Sequence, residues 1–241
     1  MSMQFFHSLR AGGQTPPLSR KEQSIEVLVF LFMIVPSVAL SFFAIKAGTI
    51  DFVLTVVATI FRDLGLVVLV LFFLWRNGER LADIGWSIRK RALDIVLGIV
   101  FFPILVVGAS VLEDILHQMG FTSPATPLPV LHPTPNIFHF VIGTIFVAVV
   151  AVSEETIFRG YLVLRFRNTT RSVATAVFLS AVVFSIGHGY EGSAGVITVG
   201  ALGVVFALAY LWRKSLVLPM TLHFLQDFMS IVLLPLLTGK S

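Results

Sequence analysis

The chain has 241 residues, 56% of them apolar and only 12% charged, with a mean hydropathy of +0.94. Soluble domains run near 45–50% apolar and 25% charged, so a soluble globular protein is excluded and an integral membrane protein is expected. Cysteine is absent, which removes disulfides and thiolate metal sites. The formal charge of +4 is modest, and no nucleic-acid partner is expected.

In chain order, residues 1–23 read "MSMQFFHSLRAGGQTPPLSRKEQ", a polar segment with no signal-peptide apolar region. Apolar segments follow near 24–48, 50–75, 92–116, 136–164, 172–188, 194–212 and 215–237, most of them meeting the ~20 residues a spanning helix needs. The first is too long for a cleaved signal and is expected to stay as an anchor. The fold class is therefore all-α, a polytopic bundle of seven to eight transmembrane helices around an intramembrane polar cavity. One transmembrane domain is expected over 24–241, after a cytoplasmic segment 1–23. The connection "HQMGFTSPATPLPVLHPTPN" is rich in Pro and Ser/Thr, and no repeat of fixed period is evident.

Lys and Arg give the orientation. With the N-terminus inside, the inner segments hold Arg10, Arg20, Lys21, Arg76, Arg80, Arg89, Lys90, Arg91, Arg165, Arg167, Arg171, Arg213 and Lys214, against Lys46 and Lys240 outside, 13 to 2. A cytoplasmic N-terminus follows, in the plasma membrane if the source is prokaryotic. The other two cations, Arg62 and Arg159, lie inside apolar segments, where an ionisable residue is a functional candidate.

Three short stretches carry the polar groups. In "VSEETIFRGYL", residues 152–162, Glu155 and Arg159 are spaced i, i+4 with the acid first, the better order for an ion pair, while Glu154 projects about 100° away around the helix. Glu155 is thereby neutralised and Glu154 is left free to act as a general base. Gly160 permits close packing or a break. In "FSIGHGYEG", residues 184–192, His188 sits between two glycines. In "PMTLHFLQDF", residues 219–228, His223 and Asp227 share a helix face, and Pro219 either opens that helix or frees a carbonyl. Counted from the inner ends, Glu154 lies about 16 Å in, His223 about 12 Å, Asp227 about 18 Å and His188 about 24 Å. Helix tilt or an interfacial start would have to absorb the excess at His188.

These residues resemble the CPBP family of intramembrane proteases (CAAX protease and bacteriocin-processing), which includes the type II CAAX prenyl endopeptidases. E-E-x-x-x-R is matched by Glu154, Glu155 and Arg159, F-x-x-x-H by Phe184 and His188, and H-x-x-x-N/D by His223 and Asp227. The resemblance covers roughly 140–237, with a catalytic core at about 136–237. It implies an intramembrane endopeptidase acting on a membrane-associated or lipidated, CAAX-type protein or peptide. Glu154 and His188 would activate water, and His223 and residue 227 would stabilise the oxyanion. Glu155, Arg159 and Phe184 would support them. Many relatives carry Asn at position 227, and an ionised Asp cannot donate to an oxyanion. His188, His223 and Asp227 are alternatively a ligand set for a divalent metal such as zinc.

The competing class is a non-catalytic membrane protein, either a proton- or metal-coupled carrier or an immunity or scaffold protein. A carrier would show polar groups in both halves, and here they concentrate in the second. Arg62 and Asp63 are expected to pair structurally with other helices, with closure of the site as their second role. Gly200, Gly203 and Ala207 read as a packing stripe. His7, His117, His132 and His139 fall away from the inferred cavity.

Overall fold

In the computed structural model, residues 18–47, 51–87, 91–123 and 136–235 are described, the side chains of 37–47 excepted. They form seven helices and, among the described residues, no strand: α1 Arg20–Ala47, α2 Phe52–Arg76, α3 Arg91–Gln118, α4 Ile137–Thr170, α5 Val173–Ile186, α6 Gly192–Arg213 and α7 Val217–Leu233. The spans Phe52–Arg76, Arg91–Gln118, Ile137–Thr170 and Gly189–Arg213 are long and apolar enough to cross a membrane, and α5 and α7 are shorter apolar helices. Helix is the form a hydrocarbon environment selects, because it satisfies each backbone N–H and C=O within the segment. The protein is an integral membrane protein. The expected N-terminal segment lies almost wholly outside the described residues, as do most of the 118–134 connection, His7 and His132.

Local chemistry sets the ends. Asp51 accepts from the Val53 amide at 3.0 Å to cap α2, Asn136 from His139 at 2.8 Å to cap α4, and Ser172 from Thr175 at 3.2 Å to cap α5. Pro219 falls in the first turn of α7, where its missing N–H has no intrahelical partner to lose. α4 runs past the expected apolar limit to Thr170, because Arg165 is drawn into the protein. Its guanidinium donates to Glu26 at 3.0 Å and to Glu79 through both Nη atoms, and it is fully buried. Glu26 also accepts from Arg76 at 2.9 Å, Asn77 at 2.7 Å and Tyr161 at 3.2 Å, so one carboxylate ties α1, the end of α2 and α4 together. At the same end of the bundle, Arg213 donates to buried Asp94 at 2.7 Å and joins α6 to α3.

A 3-10 turn, Leu81–Ile84, locks the levels of α4 and α7. A Cβ on Gly160 would stand 2.9 Å from the Ile84 carbonyl oxygen, so only glycine admits this approach, and the helix does not break there. The Gly85 carbonyl accepts from the Leu216 amide at 3.1 Å. Gly160 and Leu216 thus share a level, and Glu154 and His223 lie about 9–10 Å beyond it.

His188 needs no tilt to join them. Ser180 donates to the Phe158 carbonyl at 2.6 Å, which registers α5 against α4. Beyond this level Phe184 and Glu154 are each four residues on, about 6 Å. α5 ends at Ile186, and the chain turns so that His188 Nδ1 donates back to the Phe184 carbonyl at 3.0 Å. The imidazole therefore returns to the level of Phe184 rather than continuing along the helix, which corrects the straight-helix depth count.

Candidate active site

Two wider turns follow Glu154 and Asp227. α4 changes to π geometry over Glu155–Leu162, immediately after Glu154, and α7 does so over Phe228–Leu233, immediately after Asp227. Such i→i+5 stretches are uncommon and concentrate at functional sites. Nothing in the hydropathy pattern announces them.

The ion pair expected at i, i+4 forms: Arg159 Nη1 lies 3.0 Å from Glu155 Oε1, with both side chains at most 1% exposed. Its guanidinium carbon stands 4.1 Å from the Phe184 ring centre and 5.3 Å from that of Phe206, so aromatic faces take the place of water around the cation. Gly203 makes room, since a Cβ there would come within 3.3 Å of Arg159 Nη2 and of Ala181. The same Glu155 oxygen accepts from His223 Nδ1 at 2.9 Å, a bond absent from the sequence reading. The second glutamate is thus an internal anchor for a cation and for the α7 histidine.

Glu154 faces the other way. It lines a cavity of about 90 Å³ with Arg62, Asp63, Leu66, Phe184, His188 and Tyr190. That space is large enough and polar enough to hold water. Glu154 Oε2 is buried and makes no hydrogen bond, and His223 Nε2 lies 3.8 Å from it. The geometry also settles the His188 tautomer: a backbone carbonyl only accepts, so Nδ1 carries the hydrogen and the neutral ring keeps its lone pair on Nε2. A larger cavity of about 610 Å³ lies between α3, α6 and α7, but its walls are apolar and include none of these groups.

His223 and Asp227 meet as their spacing requires, with Nε2 to Oδ2 at 3.3 Å. His223 is buried, stacked on Phe206 at 5.6 Å between ring centres. Phe184 packs against both histidines, 4.8 Å from the His188 ring and 6.0 Å from that of His223. Among the described residues no group of three or more His, Asp or Glu is arranged to hold a metal ion. His223 Nδ1 is held by Glu155 at 2.9 Å, and Nε2 lies 3.3 Å from Asp227. As placed, these residues do not fit the divalent ion considered from the sequence.

Arg62 and Asp63 differ from expectation. Arg62 Nε donates to Asp63 Oδ1 at 2.8 Å, so the two pair with each other instead of with another helix, and both face the cavity. Their intramembrane position was the available signal. Tyr190 gave none, since a tyrosine near a helix end is unremarkable in a membrane protein. Gly200, Gly203 and buried Ala207 do pack α6 closely on its neighbours.

The motif residues lie on α4, at and just beyond the end of α5, and on α7. Residues 135–229 match the family described as Type II CAAX prenyl endopeptidase Rce1-like. This bears out the resemblance read from the three motifs. The Rce1-like segment opens just before α4, closes in the π turn of α7, and contains every motif residue but neither Arg62 nor Asp63. The match spans less than half of the chain, and the family so described is one of CAAX prenyl endopeptidases. No curated protein and no solved structure matches the chain.

Proposed function

We propose that the protein is an intramembrane endopeptidase that hydrolyses a peptide bond in a membrane-associated or lipidated, CAAX-type substrate, using water activated by Glu154 and His188. The observation carrying this reading is the contrast between adjacent glutamates. One Glu155 oxygen holds both Arg159 and His223, whereas Glu154 makes no hydrogen bond among the described residues and opens on a cavity, shared with His188, that Glu155 does not line. A water held between Glu154 and His188 Nε2 would give its proton to Glu154 as its oxygen bonds to the substrate carbonyl carbon. The C–N bond then breaks as that proton passes to the leaving nitrogen, and the free acid and amine are the products. No step is routed through a metal.

The catalytic core on this reading spans about 136–237, and the N-terminus and the Arg76, Arg165 and Arg213 end face the cytoplasm. The 13 to 2 distribution of Lys and Arg supports that topology. The test is cleavage of a fluorogenic peptide library, with farnesylated and unmodified members, by the purified protein in liposomes. Glu154→Gln should lower the rate by at least about 10²-fold while the thermal transition stays in place. Equal cleavage by Glu154→Gln, or none by the wild type, would remove the proposal.

A further inference from the structure

Hydrolysis through a tetrahedral intermediate requires donors for the carbonyl oxygen as it becomes an oxyanion, and neither His223 nor Asp227, assigned to that task from the motifs, lines the cavity that Glu154 shares with His188. His223 directs Nδ1 at Glu155 and Nε2 at Asp227, 2.9 and 3.3 Å away. An ionised Asp227 offers no proton at all. The donors must come from elsewhere in the cavity wall.

Resting on the protease reading above, we infer that Arg62, together with the Tyr190 hydroxyl, supplies the oxyanion site of this protein. Both line the cavity that holds Glu154 and His188. Arg62 spends only Nε on Asp63, so among the described residues Nη1 and Nη2 have no hydrogen-bond partner. Its side chain is 30% exposed, whereas Asp63 is 3% exposed, so a buried carboxylate anchors a guanidinium whose far edge stays available. That anchoring is the preorganisation an oxyanion site needs, because the donor is in place before charge develops. Tyr190 sits on the turn after α5, its ring 5.9 Å from that of His188, and its hydroxyl makes no hydrogen bond among the described residues.

Charge movement fits the assignment. Arg62, Glu154 and Tyr190 line one cavity. When the water proton moves to Glu154, that carboxylate becomes neutral as the substrate oxygen becomes negative. The negative charge facing Arg62 is transferred from the glutamate to the oxyanion, so the cation is compensated in both states. Asp63 is a positioning residue, acting through Arg62. Because Arg62 and Asp63 precede the segment matched to the Rce1-like family, this donor comes from a part of the chain the family match does not cover.

Steady-state cleavage of the best farnesylated library peptide tests the assignment in Arg62→Gln, Arg62→Lys, Tyr190→Phe and the double variant Arg62→Gln/Asp63→Asn. The double variant leaves no buried Asp63 charge stranded, so it addresses function where the single variant unfolds. Loss of one oxyanion donor lowers kcat by about 10²–10³-fold, so Arg62→Gln and the double variant should fall by that factor with KM within about threefold. Arg62→Lys, which keeps charge without the forked geometry, should lie between. A phosphonamidate analogue of the same peptide, anionic at the reacting centre, should lose affinity in parallel with kcat, while the uncleaved peptide bound to Glu154→Gln should not. The inference falls if the folded double variant keeps kcat within threefold, if the loss appears in KM alone, or if affinity for the phosphonamidate is unchanged. A wild type that cleaves only with Glu154 present, but is indifferent to Arg62, sinks this assignment alone. A wild type that cleaves nothing sinks the protease reading with it.

Discussion

Glu155→Gln should destabilise the protein far more than a one-atom exchange suggests. In the native protein the Glu155 carboxylate, fully buried, is the only anion in contact with the Arg159 guanidinium among the described residues, 3.0 Å away. The other neighbours of that cation are the faces of Phe184, Phe206 and Phe158. Glutamine preserves the shape and still accepts from His223 Nδ1, yet it leaves Arg159 without a counter-charge in a dry site. Removing one partner of a buried pair costs about 3–5 kcal/mol, and the aromatic contacts, about 2 kcal/mol when desolvated, are present in both proteins and offset none of the loss. Removing both charges should be much milder, because Arg159→Met fills the slot between the phenylalanines with an apolar chain. The assay is unfolding in detergent followed by tryptophan fluorescence for wild type, both single variants and the double variant Glu155→Gln/Arg159→Met. The double variant should recover at least half the loss of Glu155→Gln. Strictly additive effects, or a Glu155→Gln variant within about 1 kcal/mol of wild type, would refute the idea of a buried lock.

Glu26→Gln should cost about 3–5 kcal/mol for the same reason, since fully buried Arg165 keeps only Glu79, and the loss should show as a lowered unfolding midpoint without a change in KM. Gly160→Ala should cost about 1–3 kcal/mol, because the added methyl meets the Ile84 backbone oxygen and not a movable side chain; calorimetry that finds no change would remove the close approach. Asp227→Asn keeps an acceptor opposite His223 Nε2, so kcat should stay within about tenfold. A larger loss that added zinc restores would show that residue 227 holds a metal. Reporter fusions after Arg91 and after Lys214 should read cytoplasmic, and one within 118–134 external; the reverse pattern would overturn the proposed orientation.

What could be read before any coordinates follows from which interactions are local. Helix positions were legible because a bilayer demands long apolar runs, and the starts of α2, α4 and α5 carry Asp51, Asn136 and Ser172 as capping side chains. The Glu155–Arg159 and His223–Asp227 pairs were legible because four residues is one helical turn. Contacts between helices were not. The bond from His223 to Glu155 and the Glu26 cluster depend on how α1, α4 and α7 settle against one another, which hydropathy does not encode. Arg62 and Asp63 were conspicuous as charges in an apolar run, but only packing decides whether such a pair turns toward a neighbour or toward a cavity. His188 was misplaced in depth because its helix stops two residues earlier and the chain turns back.

The change of winding in α4 explains how neighbouring glutamates serve opposite ends. In an α-helix Glu154 and Glu155 would already diverge around the axis, but a regular helix would carry Arg159 past Glu155 by more than a full turn. Winding to i→i+5 over Glu155–Leu162 makes four residues fall short of a turn rather than exceed it, and the guanidinium comes to rest between Phe184 and Phe206. That cage excludes water from Glu155, and Glu155 in turn holds His223, so the dry side of the helix becomes rigid. Glu154, one residue earlier, is the last of the ordinary α turns and opens onto the cavity with Arg62 and His188. Rigidity on one face is what allows an unpaired carboxylate to be kept in position on the other, since an apolar setting would otherwise draw Glu154 toward the nearest cation. On the proposed reading, the adjacent glutamates divide into a structural anchor and a base because one of them already holds the charge nearby.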